Sequence, residues 1–268
     1  MTCADKERVV CDMTVFNWIR YAADYDVARL TLARPPLNIL TIEMMQEVNA
    51  ALALVAEQSS LKVLVLAGEG PAFCAGVAVE DHVADRVKLM LETFHEMFRR
   101  LRRLPCATVA AVRGPALGGG AELATFCDVV VAAEDATVGQ PEIKVGVFPP
   151  VAALHYPQRV GVARTLSLLL SGEVLGAAEA QRIGLVDRVV RAEALGDAVE
   201  AQVGRFRAQS ATVLRLTKRV VIESLGVPFE QALSILEDVY RYELMTTADA
   251  SEGLRAFVEK RKPVWRDR

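Results

Sequence analysis

The chain has 268 residues, 52% hydrophobic and 24% charged, a balance that builds a large core and excludes a disordered polymer. A formal net charge of -3 and a pI near 5.8 give no electrostatic footprint for nucleic acid. No apolar run approaches the roughly 20 residues that span a bilayer, and the opening MTCADKERVVCDM carries acids where a signal peptide needs an apolar stretch. Residues 1–14 therefore read as a loose tail on a cytoplasmic protein with no membrane partner. Cys3, Cys11, Cys74, Cys106 and Cys127 are odd in number and lack CxxC spacing, and His82, His95 and His155 do not join them at metal-ligand spacing. Free thiols in a reducing compartment, and no metal, are expected.

In chain order, Phe16 to Leu32 alternates apolar and polar residues around Asp24-Tyr25-Asp26 and predicts an antiparallel hairpin, ended by Arg34-Pro35-Pro36. A helix is predicted from Thr41, a suitable N-cap, to Gln58. Lys62 to Ala67 is continuously apolar, as a strand covered on both faces would be. A long amphipathic helix is predicted over Asp81–Leu104, closed by Pro105. Cys106 to Val112 predicts another buried strand, Gly114 to Gly120 a glycine-rich loop, Ala121 the start of a short helix, and Asp128 to Ala133 a third buried strand. That rhythm is one of stacked βαβ units. After about residue 190 the pattern is helical, near 193–208, 210–225, 228–246 and 249–260. An α/β core over 15–192 and a helical region over 193–268 follow.

The loop Gly114-Pro115-Ala116-Leu117-Gly118-Gly119-Gly120 lies between a strand and a helix, so its amides converge on one space. It lacks the Gly-Lys-Ser/Thr of a phosphate loop and the spacing of a dinucleotide fingerprint. Glu122 falls one turn into the following helix. Either it complements the helix dipole, or it stands as a base beside an oxyanion hole. Glu142, in Gly139-Gln140-Pro141-Glu142, has no such local warrant. The turn Ala72-Phe73-Cys74-Ala75-Gly76-Val77 is either a tight turn or a place where a ligand lies against backbone. Arg99-Arg100-Leu101-Arg102-Arg103 reads as a solvated helical face rather than an RNA patch, and His82 as a surface residue or a polar pocket wall.

Gly114–Ala124, Cys127-Asp128, Gly139–Ile143, Ala72–Gly76 and the closing Glu252–Arg261 resemble the signature segments of the crotonase, or enoyl-CoA hydratase/isomerase, superfamily, over about 25–268. The resemblance implies a crotonase-like superhelix of ββα turns and a C-terminal helical region that assembles a trimer or a dimer of trimers. It implies an acyl-CoA thioester substrate, no cofactor beyond the coenzyme A that the substrate carries, and no nucleic-acid partner. It places the two oxyanion donors at the Val77 and Gly119 amides, and the two catalytic glutamates at Glu122 and Glu142. Contacts to coenzyme A or the acyl group fall on Pro36, Leu37, Ala75, Gly76, Ala78, Val79, Gly118 and Pro149, with Phe257 and Lys260 reaching a neighbouring subunit. Both glutamates together imply water addition or its reversal, with Glu122 on water and Glu142 on carbon.

Two departures bear on the substrate. Ala75-Gly76-Val77-Ala78 replaces the usual Ala-Gly-Ala-Asp, and Phe148-Pro149-Pro150-Val151-Ala152-Ala153 replaces a glycine-rich stretch, which stiffens the expected pocket wall. With Leu123–Cys127, Asp81-His82 and Phe94–Phe98, these segments resemble the cyclohexa-1,5-diene-1-carbonyl-CoA hydratases of aromatic degradation, which form 6-hydroxycyclohex-1-ene-1-carbonyl-CoA. The alternatives are a generic enoyl-CoA hydratase, a 3-hydroxyacyl-CoA dehydratase, a Δ3–Δ2 isomerase, an RNA-binding homologue of the family and a non-catalytic scaffold.

Overall fold

Strand alternation sets the first hairpin: in β1 (Ile19–Asp24) and β2 (Val27–Leu32), Leu30 and Leu32 turn inward while Arg29 faces out. The computed structural model describes residues 16–268, so the tail and two cysteines, Cys3 and Cys11, lie outside the described residues. The hairpin pairs Ile19 with Leu32 and Asp24 with Val27, and Tyr25 takes the turn at a φ of 41°. Strands β3 (Val63–Gly68), β4 (Ala107–Val112), β6 (Val129–Ala133) and β9 (Arg188–Val190) extend the sheet in parallel, in the order β1-β2-β3-β4-β6-β9.

Helices cover both faces, which is why these strands read as unbroken apolar runs. On one face lie α1 (Ile42–Glu57) and α2 (Val87–Arg103), whose Met44, Met45, Val48, Phe94 and Met97 join the main core. On the other, α7 (Leu195–Arg207) sets Ala198, Val199 and Val203 against Val63, Val65, Val109 and Val131. Thr41 caps α1 through Met44 N at 3.3 Å, as expected.

The expected start of α2 at Asp81 is corrected to Val87. Residues Val79–His82 form a separate 3₁₀ turn, because buried Asp81 is engaged elsewhere. Its carboxylate accepts from Ile42 N at 3.0 Å, at the start of α1, and from Arg86 Nε at 2.7 Å. A second sheet, β5 (Pro115–Leu117), β7 (Thr137–Gly139) and β8 (Val174–Gly176), is absent from the sequence expectations. Three-residue strands leave no period to read.

The helical C-terminal region follows the expected segments: α8 (Ala211–Glu223), α9 (Phe229–Asp238) with π and 3₁₀ turns running on to Thr246, and α10 (Ala248–Val258). The last residues fold back onto it. Buried Asp249 accepts from Ser210 Oγ at 2.5 Å, Arg266 N at 2.7 Å and Asp267 N at 2.9 Å. Among the described residues no helix is long and apolar enough to cross a membrane.

Candidate active site

Close backbone contact explains the glycines. Helix α3 (Gly119–Thr125) begins at Gly119, two residues before the expected Ala121, and Gly118 precedes it at φ 52°, ψ -128°. A Cβ at Gly118 would lie 2.7 Å from Glu142 Oε1, and one at Gly119 would lie 2.7 Å from Val77 Cγ2 and 3.0 Å from the Phe94 ring. Only glycine allows this approach, and at Gly118 the backbone conformation requires it as well.

The turn at 74–78 is pinned from both sides. Leu40 N donates to Gly76 O and Ala78 N donates to Leu40 O, both at 2.9 Å, which leaves the Val77 N–H pointing away from residue 40. Cys74 bridges to Ala116 of the loop before α3. Ala75 N donates to Leu37 O at 2.9 Å, which brings exposed Pro36 and Leu37 alongside Ala75 and Gly76. Ala78 is buried and Val79 is 71% exposed at the rim. The structure therefore gathers residues 36–37, 75–79 and 118–119 in one place. Buried Asn38 organises it: its Nδ2 reaches Ala72 O at 2.8 Å and Glu69 O at 3.0 Å, at a φ of 51°. The sequence reading missed it, although asparagine is among the few residues that tolerate that φ.

The two carboxylates come from different elements. Glu122 sits on the first turn of α3 and is 2% exposed, with Oε1 accepting from Ala152 N at 2.6 Å. Ala152 lies in the first turn of α4 (Pro150–Val160), and buried Pro149 caps that helix. Pro150 occupies the first helical position, where a missing N–H costs nothing, so this stretch of the expected wall is a helix start. Half-buried Glu142 lies on the 3₁₀ turn Pro141–Val145, with its carboxylate against Gly118.

Burial pushes the Glu122 carboxyl up to about 8, with the Ala152 amide pulling it back and the Glu142 charge raising it further. Burial likewise raises Glu142 to about 7. A pair held in this range keeps about one proton near neutrality, so one member is an acid while the other is a base. Buried Gln140 links Glu142 to buried Tyr156: with Nε2 facing the carboxylate at 3.1 and 3.3 Å, its Oε1 accepts from Tyr156 Oη at 2.9 Å. The reverse setting would put an amide oxygen against a carboxylate.

The remaining expectations fall as follows. Phe257 is 85% exposed and Lys260 is exposed at the end of α10, which packs mainly on α8 and the 244–246 turn, so within one chain they do not join the cluster. His82 is exposed, with Nδ1 2.9 Å from Ala78 O of the 75–79 turn. Arg99, Arg102 and Arg103 are exposed, and Arg99 and Arg100 pair with Glu96, as on a solvated face. Cys74, Cys106 and Cys127 are buried free thiols. Among the described residues no group of three His, Cys, Asp or Glu is placed to hold a metal.

This geometry has clear counterparts. The family model for enoyl-CoA hydratase/isomerase matches residues 23–268. A cyclohexa-1,5-dienecarbonyl-CoA hydratase from Thauera aromatica is 38% identical over 250 residues, 91% of this chain and 95% of that protein. A probable enoyl-CoA hydratase of Mycobacterium bovis is 36% identical over 255 residues, 92% of this chain and 97% of its own. The crystal structure of an enoyl-CoA hydratase from Mycobacterium smegmatis superposes with a TM-score of 0.89 at 30% identity, covering 93% of this chain and 99% of that one. Fold, loop motifs and relatives agree, and the chain belongs to the enoyl-CoA hydratase/isomerase family.

Proposed function

We propose that the protein is a hydro-lyase that adds water to cyclohexa-1,5-diene-1-carbonyl-CoA, giving 6-hydroxycyclohex-1-ene-1-carbonyl-CoA. The observation that carries hydration is the pair of enclosed carboxyls, Glu122 buried on α3 and Glu142 against Gly118, near enough for the charge on Glu142 to raise Glu122. The cyclic substrate is favoured by the 38% identical relative of that name and by the Pro149-Pro150 start of α4 beside Glu122.

In this reading the thioester oxygen accepts from the Val77 and Gly119 amides, and each such donor lowers the barrier by ~3–4 kcal/mol. With the pair's one proton on Glu142, which removes the neighbouring charge that raises Glu122, Glu122 takes a proton from water as the water oxygen bonds to the ring carbon β to the thioester. The electron pair moves into a dienolate, stabilised at its oxygen by the two amides. Glu142 then gives a proton to the far end of the second double bond, and the remaining double bond shifts next to the carboxyl-bearing carbon. Water is consumed whole: its hydroxyl ends on one carbon and a proton on another, and proton exchange between the acids and solvent restores the pair. Pro36, Leu37, Ala75, Gly76, Ala78, Val79, Gly118 and Pro149 line the way in for the acyl-CoA. No further cofactor takes part.

Phe257 and Lys260 gain a role only if a second subunit brings its own site to them, which supports a homotrimer or a dimer of trimers. A rival reading, hydration of open-chain enoyl-CoA, rests on a 33% identical crotonyl-CoA hydratase of Syntrophomonas wolfei. The test is kcat/KM for cyclohexa-1,5-diene-1-carbonyl-CoA against crotonyl-CoA. The cyclic diene should turn over at least tenfold better; a preference for crotonyl-CoA by orders of magnitude would overturn the substrate assignment.

A further inference from the structure

Helix α4 touches both acids. Its first turn gives the Ala152 N–H to Glu122 at 2.6 Å. One helical turn on, at i+4, Tyr156 points the same way, and its hydroxyl meets the Gln140 amide whose other end faces Glu142. Tyr156 is 1% exposed and Gln140 is 1% exposed, so neither group exchanges this partner for bulk water.

A glutamine amide presents a donor at one end and an acceptor at the other, and nothing in Gln140 itself decides which end faces Glu142. Tyr156 decides it. A tyrosine hydroxyl that donates to Oε1 leaves Nε2 for the carboxylate, and donation at one end of the amide polarises the N–H at the other. Each buried hydrogen bond in such a chain depends on the next.

We propose that Tyr156 is a positioning residue for the hydration reaction: through Gln140 it fixes the orientation and proton affinity of Glu142, and with Ala152 it makes α4 the common strut of both acids. This rests on the hydratase reading above and adds a residue to it. Other titratable groups on the elements around Glu142 are Glu122 on α3, His155 and Arg159 on α4, Arg164 on α5 (Val162–Ser171), Lys144 on its own turn and Glu173 before β8. Of these, the His155 ring is tied to Thr125 O at 2.9 Å and is not part of the relay.

The sign of the effect is fixed. Loss of the Tyr156 hydroxyl weakens the Nε2–H donor, which destabilises the Glu142 carboxylate and raises its proton affinity. In Tyr156→Phe the alkaline limb of the kcat/KM–pH profile, set by ionisation of the proton donor Glu142, should move to higher pH by half a unit or more, with kcat down about tenfold and KM within twofold. Gln140→Leu should show the same limb shift, and the double variant should lose no more than Gln140→Leu alone, because both changes cut one chain. If Tyr156→Phe folds poorly, 3-fluorotyrosine at position 156 keeps the shape and strengthens the donor, and the limb should move to lower pH. An unmoved limb, or losses in the double variant that simply add, would overturn the proposal while leaving a hydratase. An inactive wild-type protein would instead overturn the hydratase reading.

Discussion

Glu122 buries a carboxyl in a place that favours its neutral form, and that has two measurable consequences. First, an acid–base pair with one member raised to about 8 and the other to about 7 works only while it holds a single proton. The kcat/KM profile for acyl-CoA hydration should be a bell with its maximum between pH 7 and 8, falling on the acid side as the base protonates and on the alkaline side as the acid ionises. A flat profile from pH 5.5 to 9 would contradict it. Second, a carboxyl whose folded-state pKa lies above its ordinary 4.5 costs stability as pH rises from 4.5 through about 8, since the folded state then holds the proton more tightly than the unfolded chain. Glu122→Gln should therefore be more stable than wild type at pH 8, by about 2–4 kcal/mol, and nearly equal to it at pH 5. Thermal melts at the two pH values decide this. Glu122 was legible in the sequence because a glycine-rich turn stands just before it. Glu142 carried no local sign, since its environment is built by Gly118 and Tyr156 from two other places in the chain, the latter acting through neighbouring Gln140. A lone acid in a loop says nothing about which distant residues will enclose it.

Short elements set the geometry here, and they are also what the sequence hid. The long helices α1 and α2 and the buried strands β3, β4 and β6 show plainly in hydrophobic period, and only the start of α2 shifts, because Asp81 is drawn to the α1 N-terminus. The strands β5, β7 and β8 and the 3₁₀ turn bearing Glu142 are too brief for any period, yet they position the site. The contact between α3 and the Glu142 turn has little slack. Gly118→Ala should reduce kcat at least a hundredfold, since its Cβ would fall 2.7 Å from Glu142 Oε1 in an unfavourable backbone conformation, while the fold melts within a few degrees of wild type. Unchanged turnover would mean that Glu142 is not held there during the reaction. In the C-terminal region Asp249 gathers Ser210 and the amides of Arg266 and Asp267. Asp249→Ala should cost about 2–3 kcal/mol by leaving those donors unpaired, read by urea unfolding. A change under about half a kcal/mol would show that this fold-back contributes little.

At the scale of the whole molecule, one chain leaves a large apolar surface uncovered. Val145, Phe148, Leu154, Leu166 and Leu170 are each more than half exposed beside the site, as are Phe229, Leu254, Phe257 and Val258 in the C-terminal helices. Exposed apolar side chains in such number are what a subunit contact would cover. A trimer or a dimer of trimers of the 29.2 kDa chain is the assembly we propose, and sedimentation should give that mass at micromolar concentration. A stable monomer would leave Phe257 and Lys260 without the role proposed for them. The family was readable from motif segments in order, whereas the assembly came only as an implication of that resemblance, because exposure is decided by the fold and a sequence pattern cannot tell a solvent face from a subunit face. The central claim remains that Glu122 and Glu142 together add water to a cyclic dienoyl thioester. Its most direct measurement is the hydration rate of cyclohexa-1,5-diene-1-carbonyl-CoA by wild type, Glu122→Gln and Glu142→Gln proteins of matched fold. Wild type should turn over and each variant should lose about 10²–10⁴-fold; turnover by either variant within a few-fold of wild type would rule out the paired role of Glu122 and Glu142.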